Sequence, residues 1–370
     1  MKETIVISGV NLVNGGPFTI LKECLDALSS SPLSIQYNIV ALVHKKCLLP
    51  NYSKIKLIEF PKSKKNYCYR LYYEYYEFKR LSQKLTPKLW LSLHDMSPIV
   101  KTEIQAVYMH NPSPFLGKPK SFTPRGLVFS SLYKWIYRIN IHSNNYLIVQ
   151  QNWLREAFST MFKVSQDKII VARPACFLSQ LEEPIRQSVN RTNKIFVFAS
   201  YPRSFKNFEV ICKAAKRLVE VGEKRFKVFL TMDGHENQYS EAILKAYGDL
   251  ENLCFVGLQP HEKMNDFYVS SDCLIFPSKL ETWGLPISEY MQYGKPMLLA
   301  DLPYARETAS NAQRAAFFKV DDYLRLADLM QRFINGDESF FSKVPPSIIA
   351  EPCTNSWEEL FRLLLNGDKC

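Results

Sequence analysis

The sequence predicts an α/β protein built from two successive doubly wound parallel sheets facing a cleft. Short apolar runs alternate with helical patterns along the chain, the signature of βαβ units. The polar, aperiodic stretch 177–193 interrupts that alternation, which then restarts, so a domain boundary is expected near 180–192. At 370 residues, 46% apolar and 22% charged, the chain is also too long for one ordinary core.

In the first half the expected strands are Thr4–Ser8, Tyr37–Val43, Lys56–Phe60, Leu89–Leu93, Ile104–Met109 and Tyr146–Val149. Helical patterns cover Phe18–Leu28, the strongly aromatic Tyr67–Leu85, and Trp153–Phe162. In the second half strands are expected at Ile195–Ala199, Lys227–Met232, Cys254–Val256, Cys273–Phe276 and Pro296–Ala300. Between and after them come helices Phe208–Val221, Ser240–Tyr247, Lys263–Ser270, Ile287–Tyr293, one around Tyr323–Phe333, and a final amphipathic Trp357–Leu365. Ligands of such sheets bind outside the carboxyl ends of the strands.

The formal charge of +11 is unevenly spread: residues 1–180 carry an excess of +14 and the remainder −3. A basic half suits an anionic partner such as phospholipid head groups, a phosphorylated substrate or nucleic acid. Nine scattered cysteines without a C-x-x-C pair suit reduced, buried thiols and a cytoplasmic protein, not disulfides or zinc. The opening MKETIVISGV runs directly into a strand-like segment and does not read as a signal peptide. No apolar run reaches the roughly 18 residues of a spanning helix, so any membrane contact would be peripheral.

The densest chemical signal is Phe276–Pro296, FPSKLETWGLPISEYMQYGKP. A buried strand ends at Phe276, Pro286 suits a first helical turn, and Gly294 suits a C-cap. Gly284 lets the backbone approach a ligand, and the N–H groups around Leu285 and Ile287 at the helix start suit a diphosphate. Glu281 before the helix and Glu289 in its first turn can grip hydroxyls on either side of that diphosphate.

With seven residues between Glu281 and Glu289, this string resembles the E-x7-E signature of retaining glycosyltransferase family 4. The resemblance implies that Glu281 contacts the donor sugar, Glu289 the ribose, and the Gly284 loop the phosphates. Upstream, Ile195–Leu218 resembles the strand, basic loop and helix that open the family's second domain. Lys206 matches its diphosphate lysine. The family's Gly-Arg is replaced here by Ala199-Ser200, and Arg203 is the candidate for the missing guanidinium. His110, in AVYMHNPSPF, matches a histidine near the donor sugar, and is assigned to catalysis with Glu281 and Lys206. His94 and Asp95 end another strand and are weaker candidates. In VNGGPFT, with Pro17 at the expected helix start, Gly15 and Gly16 are read as donor-phosphate or acceptor contacts. The pattern is not G-x-G-x-x-G, which disfavours a dinucleotide site.

The likeness covers almost the whole chain, most strongly 195–335 and more weakly 30–105. It implies the GT-B fold: an acceptor-binding domain over 1–180, a donor-binding domain over 193–345, and a segment 346–370 whose helix crosses back to the first. The implied activity is transfer of a hexose-type sugar from a UDP or GDP sugar to a glycan or lipid-linked acceptor, in cell-surface polysaccharide (lipopolysaccharide or capsule) synthesis. No D-x-D motif occurs, so no metal is expected; Lys206, Arg203 and the helix start are expected to meet the phosphate charge. The stretch 62–90 combines Lys and Arg with seven aromatics between Tyr67 and Phe78. It reads either as a helix resting on anionic lipid at the inner face of the cell membrane or as one burying its aromatic face. A sugar-nucleotide epimerase or another GT-B enzyme is one rival reading. A basic nucleic-acid-binding protein is another, although no nucleic-acid-binding signature appears.

Overall fold

The computed structural model describes residues 2–115, 133–173 and 193–366. The chain divides into two compact units, residues 1–175 with 349–370, and residues 176–348. The expected connector 177–193 lies outside the described residues, Asn193 excepted.

The first unit holds β1 (Thr4–Gly9), β2 (Asn38–Val43), β3 (Ile55–Glu59), β4 (Pro87–Ser92), β5 (Ile104–Tyr108), β6 (Tyr146–Val149) and β7 (Ile169–Ala172). The second holds β8 (Lys194–Phe198), β9 (Phe226–Leu230), β10 (Leu253–Phe255), β11 (Cys273–Phe276), β12 (Met297–Ala300) and β13 (Ala315–Phe318). A last strand, β14 (Cys353–Thr354), returns to the first unit and pairs with β7. All pairings within the two sheets are parallel, in the orders β14-β7-β6-β5-β4-β1-β2-β3 and β10-β9-β8-β11-β12-β13.

These strands are near-continuous apolar runs because helices cover both faces of a parallel sheet. In the first unit alternate residues separate cleanly. Ile5, Ile7, Ile39 and Ala41 join one core cluster, which includes Leu21, Leu25, Leu360 and Leu364 from helices Gly15–Ser30 and Trp357–Asn366. Val6, Val40 and Leu42 join the other, with Trp90 and with Phe78 of the aromatic stretch. The period of two is the pleat itself. Arg155, fully buried, fastens the returning segment: its Nε donates to the Ile169 carbonyl at 3.0 Å and its Nη1 to that of Ala350 at 2.7 Å, while Nη2 bonds the Pro352 carbonyl.

Strand order reverses between β1 and β4 in the first sheet and between β8 and β11 in the second. Connections leave the carboxyl ends in opposite directions there and open a crevice, the usual ligand position in such sheets.

The structure departs from the sequence expectations at several elements. β7, β13 and β14, of four, four and two residues, are additional to the expected strands. The first helix begins at Gly15, before the expected Phe18, with Asn14 as an extended N-cap. The stretch Tyr67–Leu85 is helical but passes through a π-helical segment at Tyr73–Glu77. It buries Arg70, Glu74 and Phe78 and exposes Tyr67, Tyr72 and Tyr76, so its aromatic residues are only partly taken into the core. Helix Leu285–Met291 starts and stops two residues before the expected Ile287–Tyr293, and its C-cap is Gln292. Gly294 takes a left-handed φ of 61° just beyond it, so it serves the following turn and is not the cap.

Candidate functional site

In the second unit, the loop after β8 carries Arg203 and Lys206 and the loop after β11 carries Glu281. These two strands flank the reversal point. Lys206 Nζ lies 2.5 Å from Glu281 Oε1, with side-chain exposures of 17% and 12%. The sequence separates the pair widely and the sheet brings it together.

The two loops are stitched to each other. Asn207, left-handed at φ 61°, donates from Nδ2 to the carbonyls of Pro277 (3.2 Å) and Val320 (2.7 Å). The Lys279 N–H donates to the Phe205 carbonyl at 2.7 Å. Buried Tyr304 donates to the Ser278 carbonyl at 2.7 Å, Thr308 Oγ1 donates to the Trp283 carbonyl, and the Trp283 indole donates to Ser288 Oγ at 3.1 Å. Burial first, and the neighbouring Glu281 carboxylate second, push the Tyr304 hydroxyl well above the usual tyrosine range, so it remains a proton donor. A backbone held at this many points keeps the Lys206–Glu281 geometry without help from a ligand.

Gly284 is the N-cap of helix Leu285–Met291 at φ 93°, a conformation that excludes ordinary side chains. A Cβ there would also sit 3.3 Å from Ile287 Cδ1. Pro286 occupies the first turn and Leu285 is exposed. The expected free N–H at Ile287 is not free: it donates to the Gly284 carbonyl at 2.9 Å. The tight Gly284 turn consumes it. Glu289, on the same helix, accepts a 2.8 Å hydrogen bond from the Tyr268 hydroxyl. The exposed Arg203 guanidinium lies 5.6 Å from the Tyr201 ring centre and 5.9 Å from that of Phe205, and Lys206 Nζ lies 5.6 Å from Phe205. Cations are thus held over aromatic faces at the loop's surface.

The remaining sequence candidates belong to the first unit. Gly15, at φ 69°, and Gly16 open the first helix, both exposed and with nothing within 4 Å of where a Cβ would stand. His110 follows β5, stacks on Tyr108 at 4.6 Å, and has Nε2 3.0 Å from the Leu93 carbonyl. A carbonyl only accepts, so Nε2 carries the proton and Nδ1 keeps its lone pair. Burial lowers the His110 pKa, which favours this neutral ring. Asp95 Oδ1 accepts from the His110 N–H (2.5 Å), the Asn111 N–H (3.0 Å) and the Tyr137 hydroxyl (2.8 Å), and so shapes the His110 loop. His94 is 1% exposed and bonded to Ser8 Oγ at 3.0 Å, a buried structural residue. Among the described residues, no group of three or more His, Cys, Asp or Glu side chains is placed to hold a metal ion.

Asn207, Tyr268 and Tyr304 were missed by sequence reasoning. Only Asn207 carried a local signal, an Asn directly before the helix Phe208–Glu220.

Two parallel sheets of this order, wrapped by helices, make the fold that of the GT-B glycosyltransferases. The chain is similar to the crystal structure of WaaG, a glycosyltransferase involved in lipopolysaccharide biosynthesis, at 13% identity and TM-score 0.66 over 99% of this chain and 96% of that one. It is similar to sucrose-phosphate synthase from Thermosynechococcus elongatus at 14% identity and TM-score 0.65, over 98% and 95%. It is also similar to Anabaena HepE in complex with UDP-glucose, at 14% identity and TM-score 0.58, over 91% and 92%. No curated protein sequence matches the chain. Residues 180–340 match the family model described as glycosyl transferases group 1, and that segment contains Arg203, Lys206, Glu281, Gly284 and Glu289.

Proposed function

We propose that the chain is a retaining glycosyltransferase that moves a hexose-type sugar from a UDP or GDP sugar to a glycan or lipid-linked acceptor in cell-surface polysaccharide synthesis. The observation that carries the reading is the Lys206–Glu281 pair, held 2.5 Å apart at the reversal point of a sheet whose segment matches a glycosyltransferase family model. HepE, solved with UDP-glucose, and WaaG, of lipopolysaccharide biosynthesis, lend support to the donor and acceptor classes.

In this reading the Lys206 ammonium faces the diphosphate, with Arg203 as a second cation. Glu281 then exchanges part of its bond to Lys206 for hydroxyls of the donor sugar, and Glu289 takes the ribose. The backbone at Gly284, Leu285 and Pro286 lies along the phosphates. The bond between the anomeric carbon and the phosphate oxygen breaks, and the acceptor oxygen bonds that carbon on the same face. The acceptor proton passes to the departing phosphate. Lys206 offsets the charge that grows there, a contribution on the order of 3–4 kcal/mol by analogy with one oxyanion donor. Transfer needs no metal in this scheme. The family resemblance assigns His110 to the reaction, and the backbone N–H groups of Gly15 and Gly16 are read as donor-phosphate or acceptor contacts; a neutral His110 protonated on Nε2 can accept a hydroxyl proton at Nδ1.

The test is Glu281→Ala. Losing a hydrogen bond to a charged group costs about 1.5–3 kcal/mol, so turnover should fall roughly 10–150-fold with an unchanged circular-dichroism spectrum. Near wild-type turnover of a UDP or GDP sugar would sink the assigned role.

The exposed face of Tyr67–Leu85 supports a cytoplasmic enzyme in peripheral contact with anionic membrane. Tyr67, Tyr72 and Tyr76 stand 50%, 46% and 53% exposed, Arg80 lies over Tyr76, and Lys62 and Lys65 lie over Tyr69. No helix among the described residues is long and apolar enough to cross a membrane. Cosedimentation with phosphatidylglycerol vesicles should weaken as salt rises and disappear in a Lys62, Lys64 and Lys65 to Ser variant. Equal sedimentation of variant and wild type would refute the contact.

A further inference from the structure

We propose that Tyr268 is the positioning residue for Glu289 and thereby sets the protein's preference for ribose in the donor nucleotide. The inference rests on the reading of Glu289 as the ribose ligand.

Tyr268 lies on helix His261–Ser270, which runs from the loop after β10 to β11, and is 3% exposed. Its hydroxyl donates to Glu289 Oε2 at 2.8 Å. Its ring is fixed edge-on against Tyr290 (5.6 Å, 81°) and tilted against Tyr293 (6.0 Å). Lys295 Nζ donates to the backbone carbonyls of Tyr268 (3.0 Å), Val269 (2.6 Å) and Ser271 (2.7 Å), which pins the end of that helix. The ring therefore has little freedom to swing. Burial and the adjacent carboxylate hold the phenol proton in place, so the group acts as a donor throughout the neutral range.

A glutamate has three rotatable bonds, and ordering such a side chain costs free energy at each binding event unless it is ordered beforehand. The Tyr268 hydroxyl fixes the plane of the Glu289 carboxylate by occupying one oxygen. A carboxylate ordered beforehand meets the vicinal hydroxyls of a ribose, a cis-diol of fixed spacing, without a further ordering cost. Phosphate and base contacts gain nothing from it.

The test uses Tyr268→Phe in the full chain, which keeps the ring and removes one oxygen. Dissociation constants are measured by calorimetry for UDP and GDP and for their dideoxyribose analogues. For the tighter-binding base, the wild type should prefer the ribose form by about 10-fold or more, as for a hydrogen bond to a charged group. Tyr268→Phe should cut that preference about 3–10-fold while leaving the dideoxy form's affinity unchanged, and should add nothing in a Glu289→Ala background. Equal weakening of both forms, or no weakening, would overturn the inference. If the wild type does not distinguish the forms, or Glu289→Ala retains the preference, the ribose assignment of Glu289 itself fails.

Discussion

The two sheets reverse strand order in the same way, yet their reversal points hold polar groups in opposite conditions. Between β1 and β4 of the first sheet, Ser8, Glu74 and His94 are all within 1% of complete burial, and Arg70 donates to the His94 carbonyl at 2.6 Å. Glu74 and His94 lie 3.3 Å apart. Burial pushes the Glu74 carboxyl up to about 8, against the pull of Arg70, and pushes the His94 imidazole well below its usual range. Between β8 and β11 of the second sheet, Lys206 and Glu281 form an ion pair that solvent still reaches. One cluster is closed in the interior and the other is partly open to solvent. Topology nominates a crevice, and side-chain access decides whether it can work as a site.

The largest expected effect tests the accessible pair. Lys206→Ala removes the cation proposed to face the diphosphate and leaves Glu281 without its partner, so kcat should fall about 10²–10³-fold, as when one oxyanion donor is deleted. Because both side chains are more than four-fifths buried, leaving Glu281 unpaired should also cost stability, on the order of 1–3 kcal/mol, and kcat is compared on the folded protein. A variant that unfolds, or turns over normally, would place Lys206 with the structural residues of the first sheet.

Glu74→Gln is the counterpart in the buried cluster, and its effect should appear in stability, not turnover. The folded carboxyl keeps its proton up to about pH 8, whereas in the unfolded chain it ionises near the ordinary 4.5. The native state thus binds the extra proton between those values, and its stability falls as pH rises through them. The slope is at most about 1.4 kcal/mol per pH unit. His94 acts in the opposite sense, disfavouring the native state as pH drops below its ordinary 6.5. Glutamine mimics the neutral acid, so the variant should match the wild type near pH 4 and exceed it in melting temperature at pH 8–9. Parallel melting curves across that range would show that Glu74 is not protonated in the fold.

The contrast also explains what the sequence could reveal. The strand, loop and helix around Glu281 are contiguous, and the Pro286 start and Gly284 turn are local chemistry, so that part was readable. The alternation of apolar runs likewise forecast both sheets. Asn207, Tyr268 and Tyr304 act through bonds to residues 21 to 113 positions away, which no local pattern encodes. Burial of Arg70 and Glu74 within a Lys-rich, Tyr-rich stretch runs against the usual exposure of charged residues. Both readings of that pattern left the charged residues solvated, whereas Glu74, within the π-helical segment Tyr73–Glu77, is buried.

The smallest effect asks whether Gly15 and Gly16 belong with the accessible or the structural groups. Gly15 needs its glycine for conformation alone: at φ 69° an alanine should cost about 1–2 kcal/mol whatever the surroundings. Gly16 carries no such constraint. It lies in the first turn of a helix with open space around it, so Gly16→Ala should stabilise the protein by up to about 1 kcal/mol through helix propensity. If its backbone meets a ligand, the added methyl occupies the approach, and transfer should slow several-fold even as the melting temperature rises. That opposite movement of stability and rate is the expected result. A stabilised variant with undiminished transfer would make the glycine pair a turn and nothing more.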